Sequence, residues 1–288
     1  MQLLHSATRN YSWGSRTLIP HLQGQPDSDK PVAELWFGAH PGDPSTVDGR
    51  LLNEVIAEDP AGQLGSRVSA EYGERLPFLL KVLAAEEPLS LQAHPSKTQA
   101  EEGFARENAA GIELTASNRN YKDDNHKPEL IVALTDFYAM AGFRPLARTR
   151  ELFAALECPE LDHYVAMLDD DPSATTESAN LRVLFTTWIT IPAAKRKELI
   201  SAIVAAGERL IAADPADWKS RVMSTVLDLN QRYPGDIGVL GALLLNHIEL
   251  SPGEAVYLDA GQLHAYVSGL GVEIMANSDN VLRGGLTP

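Results

Sequence analysis

The stretch LSLQAHP, residues 89–95, places Ser90, Gln92 and His94 at every second position of an otherwise apolar run. Side chains alternate between the two faces of an extended strand, so these three share one face while Leu89, Leu91 and Ala93 share the other. A Gln-x-His pair turned toward an enclosed interior can reach one metal ion from a single strand; turned outward it is ordinary solvated polarity. NHKPELIVALT, residues 125–135, repeats the pattern with Lys127, Glu129 and Ile131 on one face. For that charged pair the alternative is a strand end emerging into water. In SPGEAVYLDAGQLHAY, residues 251–266, the spacing of Gly253, Asp259, Gly261 and His264 supplies turns and then a strand from which His264 and Tyr266 project together. Gln92, His94, Glu129 and His264 make a set of two nitrogen-type and two oxygen-type donors. Amide, imidazole and carboxylate donors of this kind suit Zn²⁺, with room for water or substrate. A single such histidine is more often structural; their co-occurrence on alternating strand positions carries the argument.

Positioning these residues takes a β framework. Residues 1–145 hold apolar runs of strand length: AELWFGA, PFLLKVL, LSLQAH, ELIVALT and FYAMAGF. Two helical insertions interrupt them. The segment 52–74 reads as two pieces split by Pro60 and Gly62, and an amphipathic run begins at Ser96 or Lys97 and ends near Gly111. Residues 146–245 instead carry apolar residues at helical spacing, with Pro192, Pro215 and Pro234 at the joints. They predict a small all-α domain whose aromatic and Met residues pack its core. From 246 the strand texture returns, with Gly253, Gly261, Gly269 and Gly271 at turn-like intervals. Each β part alone is short of strands. The expected class is therefore mainly β with α: a discontinuous β-barrel domain, 1–145 and 246–288, with the helical domain 146–245 inserted.

Composition bounds the partners. The 288 residues are long enough for a full hydrophobic core, and 44% hydrophobic with 22% charged residues is a globular balance. A net charge of −15 argues against nucleic acid and anionic membranes as partners, and an anionic ligand needs a local basic cluster. One cysteine, Cys158, excludes a disulfide framework and a thiolate metal cluster; it reads as a small buried hydrophobe in a reducing compartment. The N-terminal stretch MQLLHSATRNYSWGS has no basic, apolar leader, and no run approaches the ~20 apolar residues of a membrane helix. The expectation is a cytoplasmic monomer.

LDAGQLHAY resembles the second half of the cupin signature, with Asp259 where that signature has Pro. The wider pattern is closer still. YSWGS, ELWFGAHP, LPFLLKVL, LSLQAHP, YKDDNHKPEL, FYAMAGFRP, LDAGQLHAY and GVEIMANSDNVLRGGLTP, spread from residue 11 to the C-terminus, resemble the type I phosphomannose isomerase family. The helical zone matches by architecture only. The resemblance implies a cupin (jelly-roll) fold, one zinc per chain, and interconversion of mannose 6-phosphate and fructose 6-phosphate. It places the zinc ligands on Gln92, His94, Glu129 and His264, the set reached from alternation. Against the general cupin motif, Gln92 replaces the first His, Glu86 stands where a glycine is usual, and the glutamate comes beyond a helical insertion; the family shares these departures.

Aldose–ketose isomerisation through a cis-enediol needs ring opening, abstraction of a carbon-bound proton, and stabilisation of enediolate charge. Zinc and fixed cations supply the electrostatic part. The proton shuttle falls to His40, in GAHP, or to Lys127. The bland reading of His40 is a turn residue before Pro41, and that of Lys127 an ion pair with Glu129. Arg283, in NVLRGGLTP, is the substrate-facing cation: its guanidinium suits phosphate or an enediolate. Lys81, Ser90, Tyr266, Glu273 and Asp279 complete the expected pocket, with Lys81 and Ser90 on phosphate or sugar hydroxyls and Tyr266 against the sugar. Trp13 and Trp36 read as core.

Two other functions compete. An Fe(II) cupin oxygenase prefers two His and one carboxylate with open positions, and Gln92 with the cations Lys81, Lys127 and Arg283 count against it. A non-catalytic sugar-phosphate-binding cupin differs only in turnover. The sequence stops at Pro288, directly after RGGLTP, where the family continues with an active-site lysine, further strands and a second cupin-like domain. The expectation is a truncated or partial chain, less stable and less active than one extended past Pro288.

Overall fold

Alternation decides which side chains enter the interior. Along Phe78–Ala85, Leu79, Lys81 and Leu83 are buried while Phe78, Leu80 and Val82 are more exposed. Along Glu129–Ala133 the buried positions are Glu129, Ile131 and Ala133. In the second half of His264–Ala276, Glu273 and Met275 are buried and Ile274 is exposed. The same period that fills the interior with Leu and Ile therefore also carries Lys81, Glu129 and Glu273 inside.

The computed structural model describes residues 2–168 and 174–287, which gather into two units. The first comprises Met1–Leu89, Ala93–Ala139 and Ile248–Leu282. Its strands run antiparallel in the spatial order Ala7–Arg9, Glu34–Phe37, Phe78–Ala85, His264–Ala276, Glu129–Ala133, Ala255–Leu258. The register aligns Trp36 with Lys81, Lys81 with Glu273, and Glu273 with Ile131. Directly opposed residues project from the same face, so this row delivers a cation and an anion side by side. Ile19, Leu35, Ala84 and Leu270 form one apolar cluster of this unit, and Trp36, Leu79 and Met275 another. The β-rich architecture is the one expected.

The thirteen-residue strand His264–Ala276 turns a corner. Straight, it would span about 40 Å. Yet Met275 is registered against Glu129, and the Nε2 of His264 lies 3.3 Å from the Oε2 of the same Glu129. The bend falls at Gly269, whose φ is 122°. A Cβ there would come within 2.7 Å of the Asp136 carbonyl oxygen and 2.9 Å of the Phe137 Cα. Gly269 and Gly271, expected in turns, thus lie inside one strand: they permit close backbone approach rather than chain reversal.

The helical segment 52–74 forms three pieces instead of two: Leu52–Glu58, Pro60–Leu64 and Ser66–Tyr72. Asp59 accepts a bond from the Gly62 amide and caps the middle piece, Pro60 starts it, and Gly65, with φ 80°, ends it. Gly62, expected as a break, sits within it. Helix Lys97–Ala109 begins with a capping box: the Gln99 amide donates to Ser96 Oγ and the Ser96 amide to Gln99 Oε1.

The second unit comprises Ser90–Gln92, Met140–His247 and Arg283–Pro288. Its helices include Leu146–Leu156, Ala174–Thr190, Ala193–Ala213, Trp218–Arg232 and Ile237–Ala242. Leu152, Phe153, Trp188, Ile203, Met223 and Val226 are buried there, as is Cys158, so Phe153, Trp188 and Met223 pack a core as expected, whereas Trp218 is only half-buried. Asp217 and Asp236 cap the last two helices by accepting from the amides of Lys219 and Gly238. Among the described residues no helix is long and apolar enough to cross a membrane.

Candidate metal centre and active site

Three chain segments of the first unit bring His94, Glu129 and His264 together. Glu129 and His264 each open a strand, and His94 directly follows Leu91–Ala93, its carbonyl accepting from the Gly261 amide at 2.7 Å. All three side chains are buried. The Nε2 atoms of His94 and His264 lie 3.3 Å from Oε1 and Oε2 of Glu129, respectively. One ligand atom from each residue falls within 4.8 Å of the others.

Proton positions follow from the partners. Nδ1 of His94 is 2.8 Å from the Asn280 carbonyl oxygen, and Nδ1 of His264 is 2.9 Å from that of Gln262. A carbonyl only accepts, so Nδ1 carries the proton in both rings and Nε2 presents a lone pair. Neither Nε2 has a hydrogen-bond partner. Glu129 likewise offers only lone pairs. Acceptors facing one another in a buried space are unfavourable unless a cation lies among them, and two imidazoles with a carboxylate are donors that zinc takes. Burial, then Lys127, pushes the His94 imidazole down from its ordinary range, which keeps it in the neutral ligand form. Burial acts to raise the Glu129 carboxyl, and Lys127 is the largest of the causes that hold it well below the ordinary range.

A second buried cluster adjoins in sequence and register. Lys127 Nζ is 3.1 Å from Glu129 Oε1, the ion pair foreseen as its bland reading. Lys81 Nζ lies 3.3 Å from both Glu34 Oε1 and Glu273 Oε2, and over the Trp36 ring at 5.4 Å. Burial acts to lower the Lys81 ammonium, but Glu34 and Glu273 win and raise it. Tyr266 Oη donates to Glu273 Oε1 at 2.7 Å. Burial, then Glu273, raises the Tyr266 phenol well above its usual value, so it stays a donor. Burial and Glu129 raise the Glu273 carboxyl against the pull of Lys81. His40 Nε2 is 3.2 Å from Asp279 Oδ1, and its Nδ1 accepts from the Gly42 amide at 3.1 Å. The His40 bond is the main cause that lowers the Asp279 carboxyl.

Of the residues singled out from sequence, the first unit therefore gathers His94, Glu129 and His264 with Lys127, joins Lys81, Glu273 and Tyr266, and pairs His40 with Asp279. Ser90, Gln92 and Arg283 fall in the second unit. Ser90 and Gln92 are half-buried and Arg283, on Leu282–Gly285, is exposed. The extended strand at the first motif is only Leu91–Ala93, so Ser90 and His94 flank it rather than sharing its face. Two contributors escaped the sequence reading. Glu34 is buried, accepting from Trp36 Nε1 at 2.8 Å as well as pairing with Lys81; an acid opening the apolar run ELWF was the signal. Asn280 holds the His94 ring through its carbonyl, a backbone role that leaves no mark in residue type.

Comparison with known proteins agrees with this geometry. Residues 1–146 match the family model of the phosphomannose isomerase type I catalytic domain. The chain is 41% identical to the mannose-6-phosphate isomerase of Escherichia coli K12 over 296 residues, covering all of this chain and 71% of that protein. It is 35% identical over 308 residues to mannose-6-phosphate isomerase 1 of Arabidopsis thaliana, covering all of this chain and 68% of that one. The crystal structure of mannose 6-phosphate isomerase from Salmonella typhimurium, bound to its substrate fructose 6-phosphate and a zinc atom, superposes with a TM-score of 0.87 at 39% identity. It covers 100% of this chain and 71% of that one. With a family model over half its length and relatives of this identity along all of it, the chain belongs to the type I phosphomannose isomerase family.

Proposed function

We propose that this protein interconverts mannose 6-phosphate and fructose 6-phosphate, an aldose–ketose isomerisation, at a site holding one zinc ion. The observation that carries this is the inward pair of bare Nε2 atoms facing Glu129, each ring locked through Nδ1, in a chain of this family. His94, Glu129 and His264 hold the ion, and Gln92, two residues before His94, is the fourth ligand that the sequence offers. When bound, zinc acts as a Lewis acid that polarises substrate oxygens.

The proton transfers belong to the chain. His40, an imidazole with the Asp279 carboxylate at its Nε2, and Lys127, a buried ammonium beside the ligand carboxylate, are its two carriers between C1 and C2. Tyr266 and Glu273 orient sugar hydroxyls from a braced wall, because Lys81, itself held by Glu34, pairs with Glu273. Arg283 meets the anionic charge of the substrate.

The deciding experiment is a coupled assay of the chain purified without added metal, following fructose 6-phosphate formation from mannose 6-phosphate, with metal content measured on the same sample. Turnover with one zinc per chain supports the reading. Substrate binding without turnover would leave a binding module in its place, and stoichiometric iron with no zinc would favour an oxygenase. Exchange of the substrate C2 hydrogen with solvent then separates the two carriers: whichever of His40→Gln and Lys127→Gln abolishes both exchange and turnover removes the base.

A further inference from the structure

The second unit carries a cavity of about 240 Å³ lined in part by Arg144, Arg148, Trp218, Arg221, Asn246 and His247. Arg144 is the penultimate residue of FYAMAGFRP, a motif that the isomerase chemistry leaves without a role. Its side chain is buried and donates from Nη1 to the Leu243 carbonyl at 3.0 Å and from Nη2 to the Leu245 carbonyl at 2.6 Å. Among the described residues no carboxylate pairs with it. Burial, then the like charge of Arg148, pulls its guanidinium down to about 10.

More cations crowd the same indole. Arg148, Arg144 and Lys219 lie 4.1, 5.4 and 5.6 Å from the centre of the Trp218 ring. Arg221 holds the Ala216 carbonyl at 2.7 Å. Among the described residues two carboxylates pair with these four cations: Asp217 and Glu151, 3.0 and 3.4 Å from Lys219, with Glu151 also 3.9 Å from Arg148 Nε. Two positive charges are left over, in a molecule whose net charge is −15. Like charges held this close repel, and an anion between them removes the repulsion.

We propose that this cavity is a second anion site, which takes the phosphate group of a small molecule, either inorganic phosphate or a phosphomonoester. Planar guanidinium forks from two elements match phosphate oxygens, and the surplus of two charges matches a phosphate dianion. The volume lies below the roughly 300–1,000 Å³ of sites for larger ligands. It accommodates a phosphate with a short organic part. None of the residues that line it serves the isomerase reading, so the site stands or falls independently of that reading.

The test follows the Trp218 indole N–H by two-dimensional NMR of the full chain, assigned by Trp218→Phe. Inorganic phosphate and glycerol 3-phosphate are the probes, with chloride at equal ionic strength as control. The expected result is a saturable shift with at least one phosphate probe and none with chloride; the tighter probe names the source. Arg148→Gln/Arg221→Gln should weaken binding about tenfold or more, and Arg148→Lys/Arg221→Lys by less. Both variants should keep the wild-type urea-unfolding midpoint, which certifies their folding. An unresponsive Trp218 signal in the wild type, or one that follows chloride equally, overturns the proposal. So does an unchanged response in the folded Gln variant.

Discussion

His94 and His264 each commit Nδ1 to a backbone carbonyl and leave Nε2 bare beside Glu129. Removing one donor leaves the ion short of a ligand, so His264→Ala and Glu129→Ala should each weaken zinc affinity by more than about 100-fold and abolish turnover with it. Chelator competition measures the first and the coupled assay the second; full zinc occupancy in both variants would defeat the ligand set. A different histidine governs acid sensitivity. Burial is the main cause that lowers His247 to about 4, aided by Arg144, while its Nε2 donates to the Ala242 carbonyl. The unfolded imidazole titrates near ~6.5. Above that value neither state binds the proton. As pH falls from there, the unfolded chain takes it up and the folded one does not, so up to about 3 kcal/mol of stability is lost between roughly pH 6.5 and 4. In urea titrations His247→Gln should show a flatter stability profile across that window; a profile as steep as the wild type's would remove His247 as the cause. At this scale His94, Glu129 and His264, the three candidate ligands that the fold gathers, were legible in sequence because ligand chemistry restricts residue type. Asn280, acting through its carbonyl on His94, was not, since any residue supplies that atom.

Among the elements, the loop before Glu129–Ala133 supports the His94 ring from behind. Arg119 and the amides of Asn120 and Tyr121 bond Glu107 of helix Lys97–Ala109. Further along, the amides of Lys122 and Asp123 donate to Asn280 Oδ1, and Asn280 Nδ2 donates to the carbonyls of Asp123 and Asn125. Asn280→Ala frees that carbonyl's residue from the loop, and zinc affinity should fall about 10–100-fold, the usual effect of a lost supporting contact. Excess zinc should restore turnover, which a simply unfolded variant would not do. The corner at Gly269 makes a sharper demand. Gly269→Ala meets both a positive φ and the Asp136–Phe137 backbone, and should cost about 2 kcal/mol or more in denaturant unfolding. A stability within 0.5 kcal/mol of the wild type, roughly that of an innocuous surface change, would show that the corner adjusts. Alternation made the strands legible, and the Ser96–Gln99 box the start of its helix. The corner was not, because a glycine at a turn and a glycine under a neighbouring backbone look alike in sequence. Nor was the third piece of 52–74, whose boundary depends on the φ of Gly65.

For the whole molecule, charge is the dominant property. At −15 the folded chain repels itself, and that repulsion is screened over about 8–10 Å at ordinary ionic strength. Raising salt from low to physiological strength should therefore raise the melting temperature, by roughly 2–4 °C for each kcal/mol of repulsion removed. A melting temperature that falls with salt would mean that buried and surface ion pairs outweigh the global field. The alternation of β, α and β textures along the chain was legible at this scale too, since it needs only periodicity. The three metal residues add a consequence for folding. They come from segments far apart in the chain, and the stretch between Glu129 and His264 includes every helix from Leu146 to Ala242. An ion held by all three is a removable cross-link that closes two loops, the longer one around an entire helical unit. Closing loops of this length in a disordered chain costs entropy that the folded chain has already met. Because the unfolded chain cannot assemble the three donors, free zinc in excess of its dissociation constant draws the equilibrium toward the folded state. Melting should then depend on zinc concentration, and the chain should lose part of its stability whenever the ion is withdrawn.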